Sequence, residues 1–76
     1  MKYFVIANFD NTSFIGIDKN SGGYLYETSY LFNALIRSYK YIKSYYGDLD
    51  RMNIDSTKYC IKEIFLSSVS EVNKDI

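Results

Sequence analysis

The sequence predicts a small α+β domain, an antiparallel sheet of about four strands in the order β-β-β-α-β, covered by one helix. Three observations predict it. Short β-branched and aromatic runs, separated by polar turn clusters, occupy the first third of the chain. A stretch without Gly or Pro, Leu31 to Tyr46, carries an apolar stripe at spacings of three and four. A last segment, Lys58 to Val72, is rich in Ile, Val, Ser and Phe, a composition that suits strands better than helices.

Tyr3-Phe4-Val5-Ile6 is the first strand and Ser13-Phe14-Ile15-Gly16-Ile17 the second. The polar residues between them suit a hairpin, because Asp10 and Asn11 have short side chains that tolerate turn backbone angles. A second reversal is expected at Asp18 to Gly23, where Gly22 and Gly23 allow positive φ. Tyr24-Leu25-Tyr26 makes a short third strand. The helix is expected next, with Thr28 or Ser29 as its N-cap and Gly47 at its C-terminal end. Leu31, Leu35, Ser38, Tyr39, Ile42 and Tyr46 form its apolar stripe, and Asn33, Arg37, Lys40 and Ser44 lie opposite. Asp48 to Asp55 is acidic and aperiodic, a connection with room for one helical turn.

The segment from Lys58 to Val72 fits two templates. Ile61, Ile64, Phe65, Ser68, Val69 and Val72 match a helical stripe, while Tyr59, Ile61, Glu63, Phe65, Ser67 and Val69 alternate imperfectly. Periodicity leans to helix, whereas composition and the gain to a three-stranded sheet lean to strand. Strand is the assignment adopted. No internal repeat or low-complexity linker divides the chain, so residues 1–76 are expected to form one domain.

Composition excludes several function classes. The chain has 76 residues, 47% hydrophobic, with nine Lys+Arg balanced by nine Asp+Glu. Such a chain is globular and has no net field to attract nucleic acid or an anionic membrane. Histidine is absent, which removes the usual general base near neutral pH and the commonest metal ligand. The single cysteine, Cys60, cannot form an intrachain disulfide or a cysteine zinc cluster. With no histidine to activate it, and with Tyr59 and Ile61 beside it, Cys60 is expected to be a buried structural thiol. The longest apolar run, Tyr3 to Ala7, has five residues, against the roughly 20 that a membrane span needs. A cytoplasmic protein without a signal peptide is expected, with no membrane partner, metal or cofactor.

Individual motifs fail on inspection. Asp48, Asp50 and Asp55 crowd a loop, where solvated acids are the rule. Asn53 and Tyr59 stand where a calcium loop starting at Asp48 needs Gly and Glu. Tyr24 and Leu25 follow Gly22-Gly23 where a phosphate loop needs Lys and Ser or Thr.

Aromatic residues carry more information. Nine Tyr and five Phe are too many rings for so small a core. Tyr buries an apolar body and keeps its hydroxyl wet, so surplus rings suit an interface. An AT-rich genome would supply the same tyrosines without a binding role. Arg37, Lys40 and Lys43 make the predicted helix basic, with no acid between Thr28 and Tyr46. A solvated helix face is the plain explanation. The functional one is a binding surface made of Arg37, Lys40, Lys43, Tyr41 and Tyr45, joined by Tyr24 and Tyr26 from the third strand.

From Phe14-Ile15-Gly16-Ile17-Asp18-Lys19-Asn20-Ser21-Gly22-Gly23-Tyr24, through Thr28 to Leu31-Phe32-Asn33-Ala34, the chain resembles small uncharacterised phage and prophage accessory proteins. These begin with a strand similar to Lys2-Tyr3-Phe4-Val5-Ile6. The resemblance spans residues 2–46 and, more loosely, 58–72, and it consists of turns and apolar positions without a catalytic motif. It implies an α+β fold and a product of the anti-defence type, anti-CRISPR-like, that binds and inhibits a host or defence protein. A CRISPR nuclease complex is among the implied partners. The tyrosine excess and the basic helix belong to this sequence and do not come with the resemblance.

The expected function is therefore non-enzymatic inhibition by occupying a protein surface. The alternative is a module for nucleic acid or a nucleotide signal, using the same basic and aromatic groups on phosphate and base. A homodimer through an exposed sheet edge is a secondary expectation.

Overall fold

The computed structural model describes residues 2–65. Four strands, β1 (Tyr3–Asn8), β2 (Phe14–Asp18), β3 (Tyr24–Thr28) and β4 (Tyr59–Ile64), and one helix, α1 (Tyr39–Tyr46), form an α+β fold, as the sequence predicts. The sheet is antiparallel, in the order β3-β2-β1-β4. The last strand covers Tyr59–Ile64, and the expected continuation from 66 to 72 lies outside the described residues.

Both turns of the meander are built by side chains close in sequence. Asn8 accepts the N–H groups of Thr12 (2.9 Å) and Ser13 (3.1 Å) and donates to the Thr12 hydroxyl (2.8 Å). Asn11 takes the left-handed conformation between them, which Asn tolerates better than most residues. Lys62 of β4 closes the same turn from the side, with Nζ donating to the carbonyls of Asn8 (2.9 Å) and Phe9 (3.1 Å). In the second turn the Asp18 carboxylate accepts from the Asn20 N–H and the Ser21 hydroxyl, and Gly22 and Gly23 both have positive φ.

The helix is shorter than the sequence predicts. It begins at Tyr39, not Leu31, with Ser38 as its N-cap. Thr28 instead ends β3, where its hydroxyl accepts the Tyr30 N–H at 3.2 Å. Residues 31–33 form a single 3-10 turn and the chain then runs extended. The reason lies in the sheet. β1 and β2 are in register only at Ala7 and Phe14, so they diverge beyond that point. Residues 34–37 enter the gap: the Leu35 N–H donates to the Ile15 carbonyl at 2.9 Å, and Arg37 exchanges backbone hydrogen bonds of 2.8 and 3.2 Å with Phe4. Extended backbone alternates its side chains, so Leu35 enters the core beneath α1 while Ala34 and Ile36 cover the opposite face. A helix would have left the backbone groups facing this gap without partners, and tertiary hydrogen bonding outweighs local helix preference here.

Gly16 makes this path possible. A Cβ there would stand 2.6 Å from the Asn33 carbonyl oxygen and 2.8 Å from the ring of Tyr26. The main chain at residue 33 therefore crosses directly over Gly16.

The main core lies between the sheet and α1. Ile6, Ile15, Leu25, Leu35, Ile42, Leu49, Ile54 and Tyr59 are buried in it. Leu49 and Ile54 come from the 48–58 connection; residues 48–55 hold one 3-10 turn, Asp50–Met52, and a second, Ser56–Lys58, leads into β4. Its acids serve as local acceptors. Asp48 pairs with Arg51, Asp50 takes the Ser56 N–H and hydroxyl, and Asp55 caps the turn by accepting from Thr57. Hydrogen bonds from the Thr57 hydroxyl and N–H hold the Asp55 carboxyl below its usual pKa, with Lys58 adding a smaller pull in the same direction. Cys60 is half-buried rather than buried, because it lies on β4 facing away from α1.

Candidate functional site

α1 rests on the sheet through Ile42, which is fully buried, with Tyr45 and Tyr46 half-buried beside it. Tyr46 is fixed further by donating to the carbonyls of Ser56 (2.9 Å) and Tyr59 (3.1 Å). This leaves Tyr39, Lys40, Tyr41, Lys43 and Ser44 exposed. Lys40 and Lys43 are one turn apart and project from one face of the helix. Tyr41 is 58% exposed, and Tyr39 packs edge-on against Phe4 with ring centroids 5.2 Å apart.

Arg37 immediately precedes the N-cap. Its backbone is locked to Phe4, while its exposed guanidinium turns back to the Ile36 carbonyl at 2.7 Å. Among the described residues the one ion pair joins Arg51 to Asp48, so Arg37, Lys40 and Lys43 have no carboxylate partner there.

Five of the seven expected site residues lie on or beside α1, and four of them project outward. Tyr45 differs: it sits at the edge of the core, since its position on the helix is close to that of Ile42. Tyr24 and Tyr26 lie on the other side of the molecule. Leu25 between them faces the core under α1, so alternation turns both tyrosines to the opposite face, and the Tyr26 ring lies over Gly16. The structure does not bring them together with the basic helix.

That opposite face carries further exposed aromatic residues. Tyr30 and Phe32 stack at 6.0 Å, and Phe32 is 81% exposed. Phe9 projects from the tip of the first turn. Tyr30 stands out in the sequence beside the predicted helix stripe, whereas Phe32 is hidden because it falls in the segment that reads as the first turn of a helix. A shallow groove of ≈ 370 Å³ is lined by apolar Val5, Phe14, Leu31 and Ile64 and by polar Asn11, Lys62 and Glu63.

One polar cluster reaches the interior. The Tyr59 hydroxyl donates to the Glu27 carboxylate, so the Ser13 hydroxyl, 2.7 Å away, donates to the Tyr59 oxygen. Burial, reinforced by the hydrogen bond to Glu27, raises the Tyr59 pKa and keeps the phenol protonated. A phenol with a raised pKa is a poor nucleophile, and this one ties β4 to β3 across the end of the sheet. Among the described residues no three Cys, Asp or Glu side chains converge as metal ligands, and no helix is long and apolar enough to cross a membrane. No family model, curated protein or solved structure matches this chain.

Proposed function

We propose that the protein is a non-enzymatic binder that inhibits a host or defence protein by occupying part of its surface, through the outer side of α1. The observation that carries this reading is the set Arg37, Lys40, Lys43 and Tyr41, all exposed within seven residues of chain and without a carboxylate partner among the described residues. Surface cations with no carboxylate partner among the described residues contribute little to folding, whereas they speed and orient encounter with an acidic surface. An exposed tyrosine beside them offers a rigid apolar body with a polar tip, the kind of side chain that anchors an interface. The partner class follows from the resemblance of residues 2–46 to phage accessory proteins of the anti-defence type, and a CRISPR nuclease complex is the partner to try first.

The same groups suit phosphate and base, so nucleic acid is the competing ligand. Tagged protein captured on lysate of a bacterial host, with half of the lysate treated with nuclease, separates the two. The expected result is one protein retained in both halves, whose activity falls when the purified chain is added back. Recovery of nucleic acid, or of a protein lost on nuclease treatment with affinity that falls steeply with salt, would overturn the inhibitor reading in favour of nucleic-acid binding.

A further inference from the structure

We propose that β3 pairs with β3 of a second copy of this chain, antiparallel, about a two-fold axis at Leu25. β3 and β4 are the outer strands of the described sheet, and they differ in the charges they carry. An unpaired strand edge is a template for another strand unless charge, Pro, a bulge or a cover blocks it. β4 carries Lys62 and Glu63 in adjacent positions. β3 reads Tyr24-Leu25-Tyr26-Glu27-Thr28, with no cation and no Pro. Its single charge, Glu27, is engaged by the Tyr59 hydroxyl.

Register decides the partner. A two-fold axis that continues a sheet keeps each face on its own side, so residues from the core face must oppose residues from the core face. In β3 the register centred on Leu25 sets Leu25 against Leu25, Tyr24 against Tyr26 and Glu27 against Gly23. It matches apolar with apolar and opposes no like charges. Centring on Tyr26 sets Leu25 against Glu27, and centring on Glu27 opposes two carboxylates. For β4, centring on Lys62 or on Glu63 opposes like charges, and centring on Ile61 avoids that but sets Lys62 against Cys60 and Glu63 against Tyr59. The Leu25-centred β3 register brings one charged residue of each copy to the seam, and the best β4 register brings two. The chain has no net charge, so no long-range repulsion keeps two copies apart. Paired this way, Tyr24 and Tyr26 of each copy form one four-ring row on the face away from α1.

This inference stands apart from the α1 surface and is tested apart from it. Sedimentation of the full chain should show dimer increasing between about 10 µM and 1 mM, the range of a small weak interface. Tyr24→Lys with Tyr26→Lys places cations opposite each other and should leave only monomer, while Lys40→Glu with Lys43→Glu should leave the dimer unchanged. In a Cys60→Ser background, Tyr24→Cys and Tyr26→Cys chains should form a disulfide when mixed and not when oxidised alone, because directly opposed residues lie at roughly 4.5–5.5 Å between Cα atoms, within disulfide range. A wild-type chain that stays monomeric across that range, a dimer that survives Tyr24→Lys with Tyr26→Lys, or a mixture that does not cross-link would each overturn the proposal.

Discussion

The two faces of the sheet are built from the same strands and have unequal fates. Under α1, Ile6, Ile15, Ile42 and Leu49 are fully buried, and the Tyr59–Glu27–Ser13 cluster closes one end. On the other face the buried side chains among the described residues are Val5, Ala7 and Phe14, flanked by half-buried Ala34, Ile36 and Ile64. Beyond them lie Tyr24, Tyr26, Tyr30 and Phe32, all exposed. A single eight-residue helix covers one face, and the 48–58 connection thickens that same layer with Leu49 and Ile54. Among the described residues, the other face has only the 31–36 crossing. Among the described residues no layer covers Tyr24, Tyr26 and Tyr30, so these three rings are surface through one-sided packing before any partner is invoked.

Substitutions sharpen this contrast. The largest effect is expected from Leu49→Ala, a fully buried side chain, at about 2–5 kcal/mol. Ile64→Ala on the other face removes a half-buried side chain and should cost roughly half as much or less. Urea midpoints of the two variants measure the difference, and equal losses would mean that the two faces are packed alike. Next comes Gly16→Ala. Its methyl group would meet the Asn33 carbonyl and the Tyr26 ring, and relieving that contact should cost about 1–3 kcal/mol. A stable Gly16→Ala variant would mean that residues 31–36 do not cross there.

Tyr59→Phe is the smallest change. It removes one buried hydroxyl from a three-membered cluster and should cost about 1 kcal/mol near neutral pH. The sign of its pH dependence follows from the raised pKa of Tyr59. The folded state holds the phenolic proton more tightly than the unfolded chain does. Its contribution is therefore complete below about pH 10, the unfolded value, and is lost as pH rises through the folded one. Thermal melts from pH 9 to pH 11.5 should fall more steeply for the wild type than for Tyr59→Phe.

The strands and turns were legible because their causes are local. β-branched runs, Asn11 at a turn and Gly22-Gly23 at a reversal need no distant partner to take their conformations. The helix was half legible. Ile42, Tyr46 and Gly47 fall where the stripe predicts, and Gly47 closes α1 through its N–H to the Lys43 carbonyl at 3.1 Å. Residues 31–38 misled because their helical spacing is genuine, while the gap between β1 and β2 that captures them is set by strands about twenty residues or more away. The same distance effect explains the site. Arg37, Lys40, Lys43 and Tyr41 share a surface because they are neighbours in sequence. Tyr24 and Tyr26 part from them because strand alternation, fixed by Leu25 in the core, turns them to the far face.

The central claim is that the α1 surface takes a foreign protein while the far face does not. The most direct test captures partners from nuclease-treated host lysate with three baits: wild type, Arg37→Glu with Lys40→Glu, and Tyr24→Lys with Tyr26→Lys, each shown to be folded by circular dichroism. The account predicts that the partner retained by wild type is lost from the first variant and kept by the second. Retention by the Arg37→Glu and Lys40→Glu bait, with loss from the tyrosine variant, would contradict it and move the site to the face of the sheet away from α1.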